Sequence, residues 1–151
     1  MAILDRQNIF SDGQAVSGTT AVASTDVMSN GPLYNGIGGA NAARDLGVGS
    51  EVYLQVNVSG VSGTSPTLTV ALETDDNSSF SSASTIASYG PISLPAAGGQ
   101  ALTVCLPFGD YEEFMRLKYT LGGTSPAATI KAALVRDVTA QKVYSGASVI
   151  S

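Results

Sequence analysis

EVYLQVNVSGVSGTSPTLTVALET, residues 51–74, reads as two strands joined by a turn. In its first third Val52, Leu54, Val56 and Val58 share one side, and Glu51, Tyr53, Gln55 and Asn57 the other. That period of two marks a half-buried strand. In its last third Leu68, Val70 and Leu72 alternate with Thr67, Thr69, Ala71 and Glu73. Between them, SGVSGTSP (59–66) is dense in turn formers. The turn has an echo. Gly63-Thr64-Ser65-Pro66 returns as Gly123-Thr124-Ser125-Pro126, and each copy leads after two residues into Thr69-Val70 or Thr129-Ile130. Glycine permits unusual backbone angles, Thr and Ser bond local amides, and Pro opens a strand where its missing N–H does least harm. The expectation is that each copy caps a hairpin, returning EVYLQVNV in one case and FMRLKYTL in the other. The loops differ in length, 59–66 against 122–126, which argues against two copies of one ligand site.

The same alternation recurs elsewhere. In ALTVCLPF, Leu102, Val104 and Leu106 oppose Thr103 and Cys105. In FMRLKYTL, Met115, Leu117, Tyr119 and Leu121 oppose Phe114, Arg116, Lys118 and Thr120. In TIKAALVR, Ile130, Ala132 and Leu134 oppose Lys131, Ala133 and Val135. Weaker strands are expected near QAVSGTTAVAS, DVMS and STIASYG, the last ending before Pro91. YEEFMRLKYTL and KAALVRDV also fit a helix, but Gly109 and Gly122-Gly123 leave room for only about three turns between breakers. Strands are preferred. Short strands separated by Gly/Pro/Asn/Asp/Ser links predict a single all-β domain, an antiparallel sandwich or barrel. The link at 30–50 is long for a compact domain, which marks it as functional, mobile or pinned by a partner.

The chain has 151 residues, enough for one core, and is 44% apolar but only 13% charged. Net charge is −5: residues 1–100 hold two basic and eight acidic side chains, residues 101–151 five and four. No basic patch emerges to meet phosphates, so nucleic acid is not an expected partner. No stretch is long and apolar enough to span a membrane, and MAILDRQNIF lacks the pattern of a secretory signal. The sequons at Asn57 and Asn77 are therefore read as accidents. Cys105 stands alone in an apolar run and is expected to be a small buried hydrophobe.

Catalysis finds little support. With no His, neither a Ser-His-Asp nor a Cys-His arrangement nor a His-ligated metal is possible. Asp75-Asp76 and Glu112-Glu113 are adjacent pairs, better read as solvated turns than as a glycosidase pair. GIGGAN (36–41) lacks the strand and the third glycine of a phosphate loop. In TDDNSSFSS, Asp75, Asn77 and Ser79 alternate as calcium ligands would, but Phe80 replaces the glycine and Ile86 the bidentate Glu. The plainer reading is a turn whose side chains bond their own backbone. No enzyme activity, cofactor or metal is expected.

The opening ILDRQNIFSDGQAV places Ile3, Leu4, Ile9 and Phe10 among polar residues. It is either a first strand tucked into the sheet or an apolar arm, about residues 1–13, that docks on another subunit. Leu33, Tyr34 and Ile37 in the long link are further candidates for contact with a shell or a sister subunit.

Taken in order, ILDxQxxFSDxQAV, RDLGVG with EVYLQV, TLTVALETDDNSSFSSASTI, FMRLKYTLGG and TIKAALVRDV resemble the capsid cement (decoration) proteins of tailed bacteriophages, first described for a Bordetella phage. The resemblance spans about residues 3–137 and leaves a tail, 138–151, without a counterpart. It implies a jelly-roll β-sandwich on the outer capsid surface of the virion, made in the bacterial host cytoplasm. It implies the major capsid protein and the chain itself, as a homo-dimer or homo-trimer, as partners, with neither nucleic acid nor membrane. The alternative is a carbohydrate-binding module or phage adhesin that stacks sugar rings on Tyr34, Tyr53, Tyr89 or Tyr111, against which stands the absence of Trp.

Overall fold

The computed structural model describes residues 6–29, 52–107 and 109–136. A short 3-10 turn, Arg6–Asn8, leads into seven strands: β1 Ile9–Ser17, β2 Val22–Ala23, β3 Met28–Ser29, β4 Tyr53–Asp75, β5 Ser84–Ser93, β6 Gly99–Cys105 and β7 Phe114–Val135. All pair antiparallel in one sheet. The segment expected to be two strands and a hairpin turn is a single strand, β4, and FMRLKYTL and TIKAALVR are likewise one strand, β7. The helical reading of those stretches is excluded.

β4 and β7 pair with each other along their whole length, from Tyr53↔Val135 to Asp75↔Phe114. The two GTSP motifs lie at the middle of this ladder, where Thr64 faces Thr124 and the register shifts. Their backbones match: φ is 105° at Gly63 and 106° at Gly123, and 49° at both Ser65 and Ser125. Each glycine is pressed against the other motif. A Cβ on Gly63 would stand 2.8 Å from the carbonyl oxygens of Thr124 and Ser125, and one on Gly123 would stand 2.6 Å from that of Thr64. The motifs therefore clasp each other and bend the paired strands, rather than capping separate hairpins. A bend needs the same turn chemistry as a hairpin, which is why the local sequence could not distinguish them.

The bend folds the sheet onto itself. One layer holds β6, residues 53–59 of β4, residues 127–135 of β7, and β1. The other holds β5, residues 67–75 of β4, residues 114–122 of β7, and β2 with β3. The links 18–21 and 94–98 round the same corner, held by Gly18 N–H to the Pro126 carbonyl and Leu94 N–H to the Pro66 carbonyl, both 2.9 Å. Ser24 continues the β7 edge through its amide and hydroxyl, both bonded to the Leu117 backbone.

The predicted inward faces meet in one core: Leu54, Val56 and Val58 with Ile130 and Ala132 from one layer, Leu68, Val70 and Leu72 with Leu117, Tyr119 and Leu121 from the other. Each such aliphatic side chain contributes about 1.5–3 kcal/mol when fully buried. Tyr119 reaches across the core, its hydroxyl 2.8 Å from Ser11 Oγ on β1. This satisfies a phenol that burial would otherwise penalise. The burial holds its pKa well above the ordinary tyrosine value.

Candidate interaction surfaces

Of the contact residues expected from the sequence, Ile3, Leu4, Leu33, Tyr34 and Ile37 lie outside the described residues, as does the tail 138–151. Ile9 is half-buried. It lines a cavity of about 320 Å³ with Arg6, Gln7, Asp26, Val27, Met28 and Ser29. Val27 at its rim is 41% exposed. Phe10 is corrected. It has no exposed surface and belongs to the chain's own core, so it offers nothing to a partner. A register shift between Ile9 and Ser11 accompanies this placement. The strand reading of the opening segment thus holds from Ile9 onward.

The TDDNSSFSS loop is built by its own side chains. Asp75 Oδ1 accepts from Asn77 N–H at 3.0 Å and from the Ser82 hydroxyl at 3.1 Å, and Oδ2 accepts from Ser82 N–H at 2.8 Å. Asn77 Oδ1 accepts from the amide and hydroxyl of Ser79. These are the oxygens a calcium loop would have turned on the ion, and here they hold the turn. Asp75 is buried rather than solvated, while Asp76 is exposed. Among the described residues no cluster of His, Cys, Asp or Glu is arranged to hold a metal ion.

Burial works against the Asp75 carboxylate, but the Ser82 and Asn77 amides, with the Ser82 hydroxyl, outweigh it and hold its pKa below the ordinary value. Folding therefore favours the ionised form. The contribution is complete above the unfolded pKa, about 3.9, and is lost as pH falls through the lower folded value. Urea titrations between neutral pH and acid should show Asp75→Asn losing part of this acid limb. An unchanged limb would remove Asp75 as its source.

Beside the loop, Glu73 is bound by Arg116 at 2.8 Å and Lys118 at 3.4 Å, and the Arg116 guanidinium lies 4.2 Å from the centre of the Phe80 ring. Two cations thus compensate a largely buried carboxylate, and the Phe80 face receives one of them. Glu112 is raised in pKa by burial and by the negative Asp75 and Asp76.

Two further expectations change. Tyr111 is fully buried, its hydroxyl bonded to the Pro107 carbonyl, so it is no stacking platform. Tyr53 and Tyr89 are half-buried, and Tyr34 lies outside the described residues. Cys105 is exposed, not buried. It stands on the side of β6 opposite Leu102 and Val104, as the alternation required, but β6 is an edge strand whose outer side is open.

The reverse holds for Gln55 and Asn57, which the pattern placed on the outer side. Both are buried, Gln55 to 1% exposure, on the central strand β4 between β6 and β7. Among the described residues, the carboxamide nitrogen and oxygen of Gln55 and the Asn57 Oδ1 find no hydrogen-bond partner. A buried amide in this state costs about 1–3 kcal/mol. Gln55→Met, of similar volume, should raise the stability of the isolated chain by about 1 kcal/mol or more in urea melts. A loss of stability would show that the amide is engaged.

A family model named Bbp16 matches residues 10–134, from β1 to the end of β7. The chain belongs to the Bbp16 family. The Bbp16 match covers both GTSP motifs, the TDDNSSFSS loop and all seven strands but the outermost residues of β1 and β7. It lies within the stretch, residues 3–137, on which the resemblance to phage cement proteins rests. No curated protein matches the chain. No helix among the described residues is long and apolar enough to cross a membrane.

Proposed function

We propose that this chain is a structural bacteriophage virion protein, a capsid cement that binds the outer surface of the shell and reinforces it by bridging major capsid proteins. The observation that carries the reading is the Bbp16 match, which runs along the same ordered motifs as the resemblance to phage cement proteins. The fold supports it. The halves of β4 and β7, with β1 and β6 in one layer and β5 and the short β2 and β3 in the other, are read here as a jelly roll, an architecture used by capsid proteins. The chain carries no catalysis in this reading. It offers a body stabilised by packing, without disulfides, and contacts that sum by avidity when repeated over a symmetric shell. The major capsid protein and further copies of the chain are its partners.

Quantitative mass spectrometry of purified virions tests this. A ratio near one copy per major capsid chain is expected, and absence from the particles would overturn it.

A further inference from the structure

The seam between β5 and β6 differs from the rest of the surface. Both strands pair with β4 and, among the described residues, with no other strand. They therefore form the two free edges on one side of the folded sheet, one from each layer. None of their residues is buried. Yet Ile86 and Tyr89 on β5, and Ala101, Leu102 and Val104 on β6, turn toward the core and are only partly covered. Among the described residues the sandwich is open along this line, except where Gly109 of the β6–β7 link stands against Ile86.

Charge sets the seam apart as well. Between Asp76 and Asp110 the chain holds no Asp, Glu, Lys or Arg, and both edges lie within that run. Free edges are normally guarded by charges. The opposite side of the sheet follows that rule, with Asp12 on β1, bound to Lys131, and Asp26 beside β3. An unguarded, uncharged double edge whose apolar residues are only half-buried is built to be covered.

The occupant follows from electrostatics. The chain carries −5, so two copies repel at long range. In a two-fold contact each surface meets itself, and any charge near the axis faces its own sign. The seam is a surface on which copies can meet without that cost. We propose that the β5–β6 seam is the self-association surface of this chain, where a second copy covers Ile86, Tyr89, Leu102 and Val104 and pairs with the free strand edges.

This deepens the part of the proposed function in which the chain self-associates, and it rests on that part alone. Sedimentation equilibrium on the wild-type chain, Leu102→Lys and Thr103→Lys tests it. The second variant places its charge on the outer side of β6, away from the core, so a failure of Leu102→Lys to fold leaves a readable result. The wild type should be an oligomer, with Cys105 labelled more slowly by a thiol reagent as protein concentration rises. Each variant that keeps the wild-type strand signal in circular dichroism should associate about a hundredfold more weakly. A wild-type oligomer undisturbed in the folded variants would overturn the seam and leave self-association standing. A monomeric wild type would overturn both. A monomeric wild type whose binding to purified shells is lost in the variants would assign the seam to the capsid and overturn self-pairing.

Discussion

Gly123→Ala should destabilise the isolated chain by about 4 kcal/mol or more, and Gly63→Ala by a similar amount, a large part of the 5–15 kcal/mol that holds a domain together. Two terms combine. At φ near 105° a side chain costs about 1–2 kcal/mol from its own backbone. The new Cβ would also stand 2.6–2.8 Å from carbonyl oxygens of the facing motif. Those oxygens belong to paired backbone and cannot rotate away, so β4 and β7 must separate where they bend. Gly13→Ala isolates the first term, because Gly13 has φ 78° but nothing within 4 Å of its Cβ position. It should cost only about 1–2 kcal/mol. Urea melts of the three variants decide the matter. If Gly123→Ala and Gly13→Ala lose the same stability, the clasp between the motifs is not what the glycines serve.

Phe10→Ala should cost the isolated chain about 3–5 kcal/mol, the loss expected when a fully buried phenylalanine leaves a cavity. This separates the two readings of the opening segment. A docking arm that lost Phe10 would keep its fold and lose only association. A core strand that loses Phe10 melts earlier at any concentration. The burial of Phe10 beside Leu54 and Leu117 in one cluster favours the second outcome. A variant with wild-type stability but weakened shell binding would reverse it.

The individual strands were legible. Leu54, Val56 and Val58, and again Leu117, Tyr119 and Leu121, took the inward positions that the alternation assigned, because a period of two is a local property of the backbone. The Asp75–Ser82 turn was legible for the same reason, since its bonds join residues at most seven positions apart. β5 was read too short: it runs through Pro91 to Ser93, which an edge strand tolerates. Side exposure was less legible. Cys105, expected to be buried, is exposed on an edge strand, and Gln55, placed on the face opposite Leu54 and Val56, is buried on a central one. The contact surface was sought in apolar residues of the opening segment. The absence of charge between Asp76 and Asp110, on which the proposed seam rests, is averaged away by a count over whole halves of the chain.

The sequence by itself determined an all-β chain of amphipathic strands and turn-rich links, without the histidines that many catalytic and metal sites require. Those properties depend on residue type and on neighbours a few positions away. Only the tertiary structure decided that GTSP at 63–66 and GTSP at 123–126 are two halves of one feature. Each motif supplies the carbonyls that make glycine obligatory in the other, a dependence between residues sixty positions apart that exists only once β4 and β7 are paired.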